Sequence, residues 1–273
     1  MPDATQFQFN VPSVPKAYEE FLRPRLFEPW AKLLLDEAAL RAGESVLDIA
    51  TGPGTVACLA AMRVGPEGRV LAIDIAQPML DIAKAKAVSP GSAKVDYQLS
   101  PATPLPSPSA AFDVVLCQQG LQFFPDRIGA LREMRRVLKP GGHVGIAVWV
   151  EIERNPLYAA YHAALRPTVP AQLADVITAP FSWPSGSALK SAAEEAGFRD
   201  IHLLTRSLPM VLEAGVEQAV QTFAATPVAP GVAELPQDVQ NAVFARMRQE
   251  LTKLLKGGRV VADWSSNLIV GRA

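Results

Sequence analysis

The sequence predicts an α/β protein built on one mostly parallel sheet of seven strands, with helices on both faces. Short apolar runs alternate with segments whose apolar residues recur at helical spacing, and this alternation is typical of a parallel sheet. The first two runs carry an aspartate at their ends, and the first leads into a glycine-rich turn. Because ligands of such sheets bind beyond the carboxyl ends of the strands, a small-molecule site is expected at that edge.

Each predicted element depends on a local pattern. Strands are predicted at short runs of apolar residues, and helices where an apolar face repeats every three or four residues, as in 26–41. Clusters of Gly and Pro, such as 65–68 and 139–142, end the helices. The predicted strands cover 46–49, 69–74, 95–99, 112–117, 143–150, 201–208 and 260–270, the last broken by two serines. The predicted helices cover 16–22, 26–41, 55–63, 77–88, 126–138, 187–196, 215–225 and 236–255.

Three regions follow from this order. Residues 1–43 are predicted to form a helical lid, and 44–150 a ligand-binding core. Residues 151–273 are predicted to supply cap insertions together with the last helix and strands of the core sheet. The segments 151–183 and 212–256 depart from the strand–helix rhythm, so we expect them to form a cap over the ligand edge.

The glycine-rich turn after the first strand is the most informative stretch. Gly52 and Gly54 permit a turn that other residues resist, and the helix from Thr55 directs free backbone N–H groups over it. The turn also fits the G-x-G-x-x-G/A pattern of dinucleotide sites. Asp48 distinguishes a dinucleotide site from a site for another ligand, because a charged residue at the end of the first strand needs a cationic or hydrogen-bonding partner. The amino group and sulfonium of S-adenosylmethionine would supply one, although Asp48 could instead cap its own loop.

Asp74 ends the second predicted strand, 22 residues after Gly52. An acidic residue at that spacing binds the hydroxyl pair of a ribose in nucleotide-binding folds. Two successive strands that each end in aspartate, on either side of a glycine turn, are a more specific signal than either alone. The sequence therefore predicts a nucleoside site between these strands.

Composition excludes several other classes. The 273 residues carry a formal net charge of −1 with no basic cluster, which argues against a nucleic-acid partner. The two cysteines, Cys58 and Cys117, show no metal-ligand spacing, so we expect free thiols and no metal site. The first residues lack a signal-peptide pattern and no apolar run could span a membrane, so a cytoplasmic location is expected. The sequence leaves a homodimer open.

Several segments resemble one known group, the class I S-adenosylmethionine-dependent methyltransferases, in the branch related to ubiquinone and menaquinone biosynthesis. The resemblance covers residues 17–150 well and the remainder loosely. It is carried by 46–54, 72–74, 112–115, and above all by 117–126 followed by 131–142. Residues 17–21 also resemble the lid segment of that branch. The resemblance implies a Rossmann-like class I methyltransferase fold, with S-adenosylmethionine bound by the core and S-adenosylhomocysteine as its product.

The resemblance also implies a set of cofactor contacts. Asp48 and Gly52 would hold the methionine end, Asp74 the ribose, and Ile75 and Met79 the adenine. Two positions depart from the family pattern: Ala50 replaces the first motif glycine, and Pro101 replaces an aspartate that would accept from the adenine amino group. The cofactor-binding residues predicted in full are Asp48, Ala50, Gly52, Gly54, Asp74, Ile75, Met79, Ala102, Thr103, Gln118 and Tyr18.

The acceptor site is predicted from a stripe of residues in the cap. Tyr158, Tyr161 and His162 share one face of a helix, and His162 is the candidate catalytic base. The alternative is that this stripe simply packs against the sheet, as aromatic stripes usually do. The other predicted acceptor contacts are Gln119, Phe123 and Trp149.

The predicted function is transfer of a methyl group from S-adenosylmethionine to a small aromatic or quinone-like metabolite, at carbon or oxygen. The sulfonium is already an activated donor, so the protein must chiefly align the reactants and exclude water. Residues 118–121 lack the Asn/Asp-Pro-Pro-aromatic tetrapeptide common in enzymes that methylate base amino groups. N-methylation of a heterocycle stays open, as does an NAD-dependent oxidoreductase that shares the glycine turn.

Overall fold

The computed structural model describes residues 13–87, 89–183 and 185–273, and in them a mostly parallel sheet of eight strands. The strands are β1 (Ser45–Ile49), β2 (Arg69–Asp74), β3 (Lys94–Leu99), β4 (Phe112–Gln118), β5 (Leu138–Trp149), β6 (Arg199–Leu212), β7 (Leu255–Lys256) and β8 (Arg259–Arg272). Their order is β3-β2-β1-β4-β5-β8-β6, and β7 pairs with β8 beside this path. β1 to β5 run parallel, and β8 runs antiparallel to both β5 and β6.

Helices cover both faces of the sheet. They are α1 (Ser13–Ala17), α2 (Glu28–Glu37), α3 (Thr55–Val64), α4 (Gln77–Ala85), α5 (Arg127–Val137), α6 (Pro156–Leu165), α7 (Ala171–Asp175), α8 (Gly186–Glu195), α9 (Gly215–Thr222), α10 (Ala229–Ala233) and α11 (Gln237–Thr252). Tyr18–Phe27 is a π-helical segment that contains Pro24 and joins α1 to α2. The sheet has a hydrophobic core on each face. The core that contains Val46 lies between the sheet and α2, α3 and the cap, and the core that contains Leu47 lies between the sheet and α5 and α8. Successive residues of β1 therefore serve opposite cores.

The predicted fold class is confirmed, and the predicted count of seven strands is wrong by one. The additional strand is β7, which is only two residues long and forms a tight hairpin with β8 through Gly257 and Gly258. β8 is continuous across Ser265 and Ser266, because each pairs with β6. Local composition cannot show this, since a partner strand stabilises polar residues within a sheet.

The predicted lid and cap segments both reach the ligand edge. The π-helical segment contributes Tyr18 and Phe27 there, while Tyr158, Pro180 and Ala225 come from the segments predicted as cap. Residues 1–12 of the predicted lid lie outside the described residues. Over the ranges that are described, no helix combines the length and apolar character that a membrane crossing requires.

Candidate functional site

A cavity of about 470 Å³ lies at the carboxyl ends of β1, β2, β4 and β5. Its size is typical of a small-molecule site, and its wall combines the glycine turn, the loop after β3, the π-helical segment and the cap. Most of the predicted site residues line it: Tyr18, Ala50, Gly52, Asp74, Ile75, Met79, Ala102, Thr103, Gln118, Gln119, Phe123, Trp149 and Tyr158. Four predicted residues do not: Asp48, Gly54, Tyr161 and His162.

Asp74 connects β2 to the glycine turn. One carboxylate oxygen accepts a hydrogen bond from the Gly52 backbone N–H at 2.7 Å, and the other accepts from the Ala76 N–H at 2.8 Å. Burial raises the pKa of this carboxyl above its ordinary value, and these backbone donors lower it in part. Each oxygen keeps a lone pair, so the carboxylate can also accept hydrogen bonds from a ligand.

Asp48 lies beneath the glycine turn rather than in the cavity wall. It pairs in register with Ala72 and Leu116 inside the sheet, and its carboxylate accepts from the Thr51 hydroxyl at 2.5 Å. Burial raises the pKa of Asp48 to about 7; the Thr51 bond opposes that rise, and the charge of Asp74 adds to it. Ile49, the next residue, points to the opposite face and lines the cavity. Asp48 thus supports the turn from below.

Gly54 also supports the turn without reaching the cavity. It has φ +80° and precedes the first residue of α3, while a Cβ at this position would lie 3.0 Å from both Ala83 and the Tyr97 hydroxyl. Only glycine combines this backbone conformation with so close an approach. Its role in the structure is to let the turn before α3 approach Ala83 of α4 and Tyr97 of β3 closely.

The wall beyond β2 is apolar and open. Ile75 is 73% exposed, while the neighbouring Met79 is buried. Ala102 and Thr103 face them from the loop after β3, as does Pro101, which the sequence analysis left out of the site. An exposed isoleucine beside buried apolar residues fits the flat face of a nucleobase.

Two glutamines at the end of β4 line the centre of the cavity. The amide nitrogen of Gln118 donates to the Phe27 carbonyl at 3.0 Å, while its buried Oε1 receives no hydrogen bond from the described part of the chain. Gln119, at φ +56°, donates from its amide to the Ser266 hydroxyl at 3.0 Å. Because the amide of Gln118 is fixed at its nitrogen, its oxygen is oriented and free to accept a hydrogen bond from a ligand or from water in the cavity.

Four aromatic side chains form the far side of the cavity, which we call the aromatic wall: Phe27, Trp149, Tyr158 and Trp264. Trp264 packs against Trp149 and against Tyr158, with ring centroids 5.0 Å apart in each pair. Phe27 contacts the edge of Trp149 at 6.1 Å and stacks on Tyr18 at 4.3 Å. Such a surface accommodates a flat apolar molecule.

The helical stripe predicted for the acceptor site divides between cavity, core and surface. Tyr158 lines the cavity, but Tyr161 is buried away from it and its hydroxyl donates to the Ala219 carbonyl at 2.6 Å. His162 lies on the outer side, with its Nε2 3.4 Å from the Asp175 carboxylate. The structure therefore gives His162 no position from which to act on a molecule in the cavity.

Several further residues line the cavity that were not predicted from the sequence, chiefly Phe27, Trp264 and Asp126. Phe27 was visible as an aromatic residue within the predicted lid, 1–43. Trp264 carried no local signal, since β8 brings it to the cavity only by pairing with β5 and β6. Asp126 caps α5 by accepting from the Gly129 N–H at 2.7 Å, and it stands exposed at the cavity mouth.

Comparisons with known proteins converge on one enzyme class. The model of the ubiE/COQ5 methyltransferase family matches residues 18–205. Nocamycin O-methyltransferase of Saccharothrix syringae is 31% identical over 259 residues, which cover 90% of this chain and 91% of that protein. Demethylmenaquinone methyltransferase of Staphylococcus aureus is 32% identical over 187 residues, 64% of this chain and 76% of that protein.

A similar fold occurs in phosphoethanolamine N-methyltransferase 2 of Haemonchus contortus, solved with phosphomonomethylethanolamine and S-adenosylhomocysteine. The two structures share a TM-score of 0.62 at 17% identity, over 96% of this chain and 57% of that one. At this identity the likeness concerns the fold alone.

Proposed function

Because this chain belongs to the ubiE/COQ5 methyltransferase family and is an S-adenosylmethionine-dependent methyltransferase, we propose that it methylates a small planar metabolite held against the aromatic wall. One observation carries the proposal: a single cavity joins Asp74 and the glycine turn to four aromatic rings by way of Gln118. A nucleoside fits the first part and a flat acceptor the second. The family assignment removes the NAD-dependent oxidoreductase from consideration.

The wall residues fit S-adenosylmethionine at three points. Asp74 would accept from the ribose hydroxyls, and Ile75 with Met79 would pack on the adenine. The unpartnered Oε1 of Gln118 would accept from the amino group of the cofactor. The cofactor supplies an activated methyl group, so the residues of this chain bind, align and exclude water. The lid residues Tyr18 and Phe27 would exclude water by covering the cavity.

We keep the remaining expectations as part of the proposal. Residues 44–150 would bind the cofactor, with 1–43 as lid and 151–273 as cap and remaining core. We further propose a cytoplasmic location, without a nucleic-acid partner. A homodimer remains to be tested by measuring the mass in solution.

Calorimetric titration and turnover together test the proposed function. S-adenosylhomocysteine should bind with one site per chain, and NAD should not bind. With S-adenosylmethionine labelled in its methyl group, a panel of phenols, cyclic enols, quinols and N-heterocycles should show label transfer to ring acceptors. Failure of S-adenosylhomocysteine to bind would contradict the proposal, and transfer restricted to ring nitrogens would replace the expected acceptor with a heterocyclic amine.

His162→Ala is expected to leave turnover nearly unchanged. His162 lies outside the cavity wall beside Asp175, so removing its ring takes nothing from the site. We expect kcat and the acceptor KM to change less than about threefold, whereas loss of a general base costs about 10²- to 10⁴-fold. Steady-state kinetics with the best acceptor of the panel would measure this. A loss of kcat approaching a hundredfold would restore His162 as the base.

A further inference from the structure

The titratable side chains of the cavity wall are all acids. They are Tyr18 on the π-helical segment, Asp74 at the end of β2, Asp126 at the start of α5 and Tyr158 on α6. Among the described residues, the cavity wall contains no lysine, arginine or histidine. Any negative charge that a ligand brings into the cavity would therefore meet no cationic side chain in this wall.

Arg127 is the basic residue that adjoins the mouth of the cavity in sequence, and its guanidinium is occupied elsewhere. It donates to the Gln122 carbonyl at 2.6 Å and to the Ser182 hydroxyl at 2.8 Å. The same group packs over the Trp183 ring, 4.7 Å from the ring centroid. These contacts, with a further donation to the Ser182 carbonyl at 3.4 Å, hold it against Gln122, Ser182 and Trp183, so it does not serve as a counter-ion inside the cavity.

The side chains that could take a proton from an acceptor are poorly suited to it. Burial raises the pKa of both Tyr18 and Tyr158, so each phenol keeps its proton at neutral pH. Asp74 already accepts two backbone hydrogen bonds, and Asp126 caps a helix at the exposed mouth. Gln118 and Gln119 present only neutral amides. The aromatic wall provides contact area without a base.

A cavity whose wall, as far as the described residues form it, has no cation, and whose two carboxylates are bonded to backbone N–H groups, must still accept a nucleophile. A neutral hydroxyl is a weak one, and an isolated oxyanion is expensive to bury among aromatic rings. A positive group brought in by a second ligand resolves both difficulties, because the attraction between opposite charges is strong where water is excluded. S-adenosylmethionine, the cofactor of the proposed function, carries such a charge on its sulfonium. Gln118 would bind the amino group of the same cofactor, in the same part of the cavity.

We propose that this cavity binds its acceptor as the oxyanion of an acidic ring hydroxyl, an enol or an acidic phenol, with the cofactor's sulfonium as its counter-charge. This rests on the proposed function and deepens it. The acceptor loses its proton to bulk water on binding. An electron pair of the acceptor oxygen then forms the bond to the methyl carbon, the carbon–sulfur bond breaks, and its pair stays on sulfur. A neutral ether and a neutral thioether result, with no proton left to remove.

Two consequences follow for binding. The acidic acceptor enters only after the charged cofactor, because the wall alone gives its charge no partner. Transfer then cancels both charges at once, so the attraction between the two ligands disappears when the product forms. The same wall that admits the acidic ring in the presence of the sulfonium holds it weakly beside the neutral thioether.

The test uses a probe whose ionisation is visible, 4-nitrophenol, and two cofactor analogues that cannot donate methyl. Sinefungin carries an ammonium group in place of the sulfonium, and S-adenosylhomocysteine carries a neutral sulfur. Absorbance titration of the bound probe should give a pKa about 1 to 3 units lower in the sinefungin complex than in the S-adenosylhomocysteine complex. The methyl ether of the probe, 4-nitroanisole, is the matched control and should bind equally in both.

Each outcome decides the proposal. Equal pKa values of the bound probe in the two complexes would overturn it, because the cofactor charge would then have no effect on ionisation. Failure of 4-nitrophenol to bind while both analogues bind would also overturn it, and would leave the proposed function standing. If neither analogue binds, the proposed function is contradicted, and so is this inference, which rests on it.

Discussion

Asp74→Ala is expected to weaken binding of S-adenosylhomocysteine by about 5- to 150-fold, equivalent to about 1–3 kcal/mol. The substitution removes the acceptor for the ribose hydroxyls. It also leaves the Gly52 N–H without its partner at 2.7 Å, so the glycine turn loses its attachment to β2. Calorimetric titration of the variant measures the affinity directly.

Asp81→Ala supplies the matched control for Asp74→Ala. Asp81 is an exposed carboxylate on α4 that accepts from the Gln77 side chain and lies outside the cavity wall. Its removal should leave the affinity unchanged within error. If Asp74→Ala and Asp81→Ala bind S-adenosylhomocysteine equally well, Asp74 has no part in the site.

Asp48→Asn is expected to change how stability depends on pH. In the folded protein the pKa of Asp48 is raised to about 7, chiefly by burial, whereas in the unfolded chain it is about 3.9. Between these values the folded state holds a proton that the unfolded state has lost. The free energy of unfolding therefore falls as pH rises from about 4 to 7, by up to about 1.4 kcal/mol per pH unit from this group. Above about pH 7 the carboxyl is ionised in both states, so its contribution to the free energy of unfolding no longer changes with pH.

Urea unfolding at several pH values between 4 and 8 would reveal this contribution as the difference between the parent protein and Asp48→Asn. The parent protein should lose stability relative to Asp48→Asn as pH rises to about 7, because the amide of the variant cannot ionise. Asp113→Asn is a control of opposite sign, since the Lys139 ammonium helps to lower the pKa of Asp113 and its contribution is lost as pH falls. Parallel stability curves for the parent protein and Asp48→Asn would contradict the raised pKa.

The strand-end site could be predicted because its signals are local. An apolar run, an aspartate and a glycine turn occur within a few residues of one another, and parallel connections bring neighbouring strand ends to one edge. This rule predicts the positions of Asp74, Gly52 and Gln118 in the cavity wall. Asp48 is the next-to-last residue of β1 and bonds to the Thr51 hydroxyl, so it is not part of the cavity wall, and its contact with the cofactor stays a prediction.

The acceptor side could be predicted only in part, since distant segments form it. Trp264 reaches the cavity through the antiparallel pairing of β8, and no nearby residue indicates that pairing. Helical spacing correctly placed Tyr158 and Tyr161 together, but a stripe contains no information about which of its members meets a cavity and which meets the core. Spacing within α6 does not reveal that His162 lies outside the cavity wall beside Asp175 of α7.

A crystal structure of this protein with S-adenosylhomocysteine would test the central claim, that Asp74, Gln118 and the glycine turn hold one nucleoside at the strand ends. We expect both ribose hydroxyls within hydrogen-bonding distance of the Asp74 carboxylate, the adenine against Ile75 and the amino group near the Gln118 oxygen. Density for the nucleoside outside this cavity, or inside it with Asp74 bonded only to Gly52 and Ala76, would contradict the claim.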